Sequence, residues 1–193
     1  MQLYQGCLFL LFGAWWISFV TSDMRLYPIV THYDIQANQK YGNCSIQELG
    51  DVVWNKTYVI ELQIYRTLQD LKAYFSLSVC ALDGLIKNSL LSRWIDGCEF
   101  VRQPYRERLM KTFYDTVQKN SQIPRCPLKP GDIMILNITP SALPIPALIP
   151  ETDFLIEAKT YTRARTELIL ETHWEGSLMR PEKIKKGGRR KTQ

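Results

Sequence analysis

Few side chains in this sequence of 193 residues could do chemistry: five cysteines, two histidines and a set of spaced carboxylates. A serine or cysteine triad needs an imidazole base. His32 falls in a weakly patterned segment, and His173 alternates outward with Glu167 and Glu171. Glu157, Glu167 and Glu171 sit on the polar sides of alternating runs, where solvated charges are the ordinary expectation. No nucleophile elbow, zincin helix, P-loop or dinucleotide glycine fingerprint is present. The expectation is a protein that is not an enzyme, with no catalytic residue, no metal and no cofactor.

The cysteines carry more information. Cys7 lies in an apolar run at residues 7–20 that reads as the h-region of a signal peptide, with cleavage placed after Ser22. At 14 residues the run is shorter than the roughly 20 needed to span a bilayer, so the mature chain is expected not to be membrane-spanning. Removing it leaves Cys44, Cys80, Cys98 and Cys126, an even number that suits two disulfides in an oxidising compartment. Three pairings are open. The favoured one joins Cys98 to Cys126 and Cys44 to Cys80, since each closes a short loop. The first of these would stabilise the fold by roughly 3 to 4 kcal/mol. With no C-x-x-C pair and two histidines, a zinc site has too few ligands. Of the sequons at Asn43, Asn55 and Asn137, Asn55-Lys56-Thr57 is the best glycosylation acceptor, and the others are expected to be unmodified.

Charge is concentrated at the carboxyl end. Residues 180–193 hold seven basic residues against Glu182, a net of +6, whereas the whole chain is +5, so the rest is about neutral at −1. The basic character belongs to a tail expected to be disordered, not to a folded face, which argues against a nucleic-acid partner. The expected organisation is a signal peptide at 1–22, one β-sandwich domain at 23–179 and a basic tail at 180–193.

Residues 57–65 and 72–82 alternate apolar and polar side chains and are expected to pair as an antiparallel hairpin. Cys80 then points away from the Phe75 face. From Pro104 to Asn120 the period changes: Tyr105, Leu109, Phe113 and Val117 form one stripe of an amphipathic helix, with Glu107 to Lys111 and Asp115 to Lys119 as ion pairs. A turn at residues 129–132 leads into 133–138, apolar on both faces and a candidate central strand. Residues 154–161 and 167–174 make a terminal hairpin, while Pro28 demotes residues 23–33 to a weak strand. Six or seven strands and one helix imply a mainly β fold, an immunoglobulin-like sandwich or cup with an inserted helix.

The order of a β-hairpin, Asp96-Gly97-Cys98-Glu99-Phe100, an amphipathic helix, Cys126-Pro127, a proline-rich crossover ending in Leu148-Ile149-Pro150, and a final hairpin from Phe154 resembles a known pattern. It is similar to the insect family of small secreted proteins of unknown function related to CheB chemosensory proteins, and to the ML lipid-recognition (ganglioside-activator-like) domains. The resemblance covers about residues 58–174. Its departures are a missing glycine after Pro150, the extra cysteines Cys44 and Cys80, and the basic tail.

The resemblance implies a secreted binding protein for a lipid or other hydrophobic small molecule, in a setting of chemosensation or pheromone response, with sheets that part at one end. The lining candidates are Ile60, Leu62, Ile64, Phe75, Leu77, Val79, Phe113, Ile156, Leu168 and Leu170. Leu143, Ile145 and Leu148 are the rim, in a segment whose prolines prevent it from locking into a sheet. The alternative is an extracellular protein–protein interaction module with a packed core, meeting a membrane receptor or another chain through Tyr65, Tyr74 and Tyr161.

Overall fold

The computed structural model describes residues 25–80, 87–145 and 149–180. The expected signal peptide, the tail beyond Arg180 and the rim residue Leu148 lie outside them. Among the described residues no helix is long and apolar enough to cross a membrane.

One-sided alternation sets the core. In β3 (Thr57–Ile64) the side chains of Tyr58, Ile60, Leu62 and Ile64 are buried and the intervening ones are not. This strand is the centre of a three-stranded antiparallel sheet, between β2 (Gly42–Leu49) and β6 (Ile133–Ile138). Facing it is a five-stranded antiparallel sheet whose order is β1 (Tyr27–Ala37), β8 (Leu168–Met179), β7 (Asp153–Thr162), β4 (Leu71–Cys80) and β5 (Lys87–Asp96). The chain is a mainly β sandwich of immunoglobulin-like layering, as the sequence implies.

The terminal hairpin forms as β7 and β8, and Pro28 stands in an edge strand, where a residue without a backbone donor is tolerated. Gly176 is required where β1 crosses β8, since a Cβ there would lie 2.1 Å from the Ile29 carbonyl oxygen. Gly131 takes a φ of +91° in the turn before β6, closed by the Asp132 N–H on the Lys129 carbonyl at 3.0 Å.

Other expectations are corrected. Residues 57–65 and 72–82 do not pair: β3 and β4 lie in opposite sheets. Leu68 instead exchanges backbone hydrogen bonds with Leu128, so the link between the two strands crosses the sandwich rather than turning back. The places beside them go to β2 and β5, whose mixed polar sequences lack a clean alternation. β6 is an outer strand of its sheet, not a central one.

The expected helix from Pro104 is a 3-10 turn (Pro104–Arg106) followed by a shorter helix, and a helix not expected precedes them: α1 (Gly97–Arg102) and then α2 (Arg108–Gln118). Tyr105 therefore leaves the expected stripe and is exposed. Glu107, just outside α2, pairs with Arg93 of β5 at 3.0 Å, and Lys111 pairs with Asp115 one turn along.

Cys98 and Cys126 are joined, with Cα atoms 5.6 Å apart. The expected partnership of Cys44 with Cys80 is wrong, and both are free thiols. Cys44 belongs to the three-stranded sheet and packs inward against Leu62 and Ile60. Cys80 ends β4 in the other sheet, beside Ser78 on its outer surface. Two residues on opposite layers, one facing inward and one outward, cannot meet the separation a disulfide requires. Burial pushes the Cys44 thiol up, which keeps it protonated. Alkylation of the unfolded, unreduced mature protein should mark Cys44 and Cys80 alone in peptide mapping. Recovery of a Cys44–Cys80 peptide would overturn this arrangement.

Candidate functional site

The two sheets do not match in width, and the helices complete the smaller layer. α1 packs on β4 and β5, while α2 packs beside β6. The disulfide joins α1 to the segment that leads into β6, and so fixes the helices across one end of the sandwich. Asp96 starts α1: its carboxylate accepts the Glu99 N–H at 2.8 Å and the Lys72 ammonium at 2.8 Å. The Phe100 ring that α1 carries meets Tyr114 of α2 edge to face, with centroids 5.2 Å apart.

Beneath this cover is an apolar cleft of about 240 Å³. β3 contributes Leu62 and Ile64, β4 contributes Leu71 and Ala73, and β5 contributes Ile95. Phe100, Val101 and Tyr114 form the helical wall, and Ile123, Pro124 and Cys126 the wall behind the disulfide. Thr160 and Tyr114 supply the side-chain hydroxyls of the lining. Burial pushes the Tyr114 phenol up, so it stays neutral. Such a surface does not hold water well and offers an apolar guest contacts on several sides.

Of the lining candidates, Leu62, Ile64 and Leu170 reach the cleft. Ile60 lies in the middle of the core with Tyr58 and Trp174. Leu77, Val79 and Ile156 pack at the opposite end against Leu26, Phe154 and Leu178. Phe75, opposite Arg93 and Ala158, and Phe113 are half-buried outside the cleft, where Tyr114 stands in place of Phe113. Leu168 pairs with Tyr161 and is likewise outside it.

Ile169 was missed because the register slips at this point: Leu170 faces Thr160 and Leu168 faces Tyr161, leaving Ile169 without a partner on β7. That bulge turns Ile169 into the core beside Leu62 and Leu128. Alternation alone carries no signal for it.

The expected rim is at the wrong end. Ile145 and Ile149 pack against Leu26, Phe154 and Leu178, and the Leu143 N–H bonds to the Pro140 carbonyl at 3.0 Å. Ile145 and Ile149 help close that end of the sandwich, away from the cleft.

Glu157, Glu171 and His173 gather on the outer face of the large sheet, whereas Glu167 pairs elsewhere, with Lys40 at 2.7 Å. His173 Nε2 lies 2.8 Å from Glu171 and Nδ1 lies 3.4 Å from Glu157, while Lys159 reaches Glu171 at 2.9 Å. Hydrogen bonds from Lys159 and then His173 hold the Glu171 carboxyl below the usual range. The Ser76 hydroxyl donates to Glu157 at 3.2 Å, not to the imidazole, so no serine–base pair forms there. Among the described residues no group of three ligating side chains could hold a metal ion. A second hollow of about 290 Å³ lies at the other end, lined by Cys80, Asp153 and Glu175 among others.

Asp96 ties the cleft to pH. Partial burial disfavours its charge, but the Lys72 and Glu99 hydrogen bonds outweigh this and hold the carboxyl below the usual range. A depressed folded value stabilises the native state above the unfolded value near 3.9, and that stabilisation is lost as pH falls toward the folded one. Asp96→Ala should cost about 1 kcal/mol at neutral pH. In thermal melts from about pH 5 down to about pH 2, the parent should lose more stability than Asp96→Asn; parallel curves would contradict this role.

The family described as "Protein of unknown function (DUF1091)" matches residues 75–156. No curated protein matches the chain. Among solved structures, chicken MD-1 complexed with lipid IVa is similar at 16% identity, covering 81% of this chain and 99% of that one, with a TM-score of 0.38. A Niemann-Pick type C2 protein from Japanese carpenter ant is similar at 12% identity, covering 78% of this chain and 92% of that one, with a TM-score of 0.34. The C-terminal domain of wzt shares 12% identity over 77% of this chain and 76% of its own, at a TM-score of 0.33.

Proposed function

We propose that the chain is a secreted, non-enzymatic carrier that holds one apolar chain or small ring system of a lipid or other hydrophobic molecule in the cleft at the disulfide end. The observation that carries this reading is the cleft itself: about 240 Å³ between two sheets and two helices, lined almost throughout by apolar side chains. That volume lies just below the common range for ligand sites, roughly 300 to 1,000 Å³, and suits one chain better than several. Secretion is supported by the apolar run at residues 7–20 and by a disulfide, which persists in oxidising compartments. In this reading the domain extends over 23–179 with a loose basic tail after it, and the resemblance to CheB-related insect proteins gives the ligand a chemosensory or pheromone setting.

A second reading, an interaction module for a membrane receptor, is favoured by one surface. Trp94 is 40% exposed on the outer face between Tyr74 and Tyr161, with the Arg165 guanidinium 4.4 Å from its ring centroid. Aromatic and arginine side chains of this kind are typical anchors of protein interfaces. Tyr65 is exposed but does not belong to the group.

Native mass spectrometry with lipid extraction of the secreted protein separates the two. Recovery of a reproducible apolar ligand, lost in Ala73→Phe or Ile95→Phe while the melting temperature is kept, is the expected result. Ligand-free protein in both parent and variants, or unchanged ligand in folded variants, would remove the carrier reading.

A further inference from the structure

An apolar surface stands where a soluble protein ordinarily avoids one. The end of β2 and the link that follows it expose Leu49 by 52%, Val52 by 47%, Val53 by 58% and Trp54 by 44%. Val53, Trp54 and Asn55 form one 3-10 turn, so these side chains belong to a single compact tip and not to scattered positions. The tip is at the far end of β3 from Ile64, which lines the cleft, so ligand binding does not account for it. Its ion pair, Glu48 with Lys56, is satisfied internally.

Asn55 closes the same turn and begins the sequon Asn55-Lys56-Thr57. It is exposed, and among the described residues its side chain makes no hydrogen bond that a sugar would break. The other two sequons differ. The Asn137 side chain donates to the Asn120 carbonyl, and its backbone N–H to Ser121 Oγ at 2.8 Å, so it is built into the contact between β6 and the end of α2. Asn43 is exposed but pairs with Gln63, whereas Leu49 pairs with Thr57, six residues along the strand or about 20 Å away. A glycan on Asn43 would be rooted well away from the tip, on the part of β2 beside Gln63.

We infer that Asn55 carries an N-linked glycan that lies over the Leu49, Val52, Val53 and Trp54 surface and keeps this end of the sandwich from self-association. The occupant of the patch is the chain's own sugar. A bulky, strongly hydrated group rooted inside an apolar patch reduces the area available for contact between copies. The inference rests on the secretory part of the proposed function, since the modification is made only in that route, and is independent of whether the cleft binds a ligand.

The test uses the full chain expressed in eukaryotic secretory cells. Intact mass and glycopeptide mapping should find the glycan on Asn55, and Asn55→Gln should remove it. Enzymatic removal of the glycan from the folded protein should raise the associated fraction severalfold in sedimentation at equal concentration. Val53→Ser with Trp54→Ser should return the deglycosylated protein to monomer, which assigns the effect to the tip. Because deglycosylation acts after folding, poor folding of Asn55→Gln leaves this arm intact. A secreted chain unmodified at Asn55, or one whose association is unchanged by glycan removal, would overturn the inference alone. Retention of the chain inside the cell would overturn it together with the secretory reading.

Discussion

A sheet of five strands cannot be covered by a sheet of three. Three strands leave part of the inner face of a five-stranded sheet in need of another layer. Helices supply it, and helices pack on a sheet less conformably than a second sheet does. α1 must be started by Asp96 and held by Cys98–Cys126, because a segment of six residues has too little buried surface to stay in place alone. The cleft is the space left under that cover. Its position, its apolar lining and its closeness to the disulfide all follow from the inequality of the sheets.

The two ends of the sandwich differ for the same reason. At the Phe154 end, Ile145 and Ile149 of the proline-bearing segment descend onto Leu26 and Leu178 and fill the gap. A chain interrupted by prolines cannot add a strand, but it can insert side chains, and here it acts as a plug. At the disulfide end the covering elements are helices, whose Phe100 and Tyr114 rings meet each other above the cleft they line.

Much of this was readable where one residue pattern had one physical solution. The alternation of residues 57–64 specified a strand with Tyr58, Ile60, Leu62 and Ile64 inward, and the terminal hairpin was equally plain. The Cys98–Cys126 link was among the pairings open from sequence. What was not readable depends on partners distant in sequence. Alternation gives a strand's faces but not its neighbour, so β3 and β4 looked like a hairpin when each belongs to a different sheet. The pairing of Cys44 with Cys80, favoured for its short loop, fails because the two residues stand in different sheets. Ile169 entered the core through a register slip that leaves no mark in its composition, and the cleft was placed at the proline end because a broken sheet was expected to open there.

The central claim is that helices pinned by one disulfide hold an apolar hollow at one end of an unevenly layered sandwich. Diffraction from crystals under xenon tests it directly, because xenon enters dry apolar cavities and needs no knowledge of the natural ligand. The account predicts a xenon site between Leu62, Ala73 and Phe100. Side chains filling that space, or xenon only between Ile145 and Phe154, would contradict it.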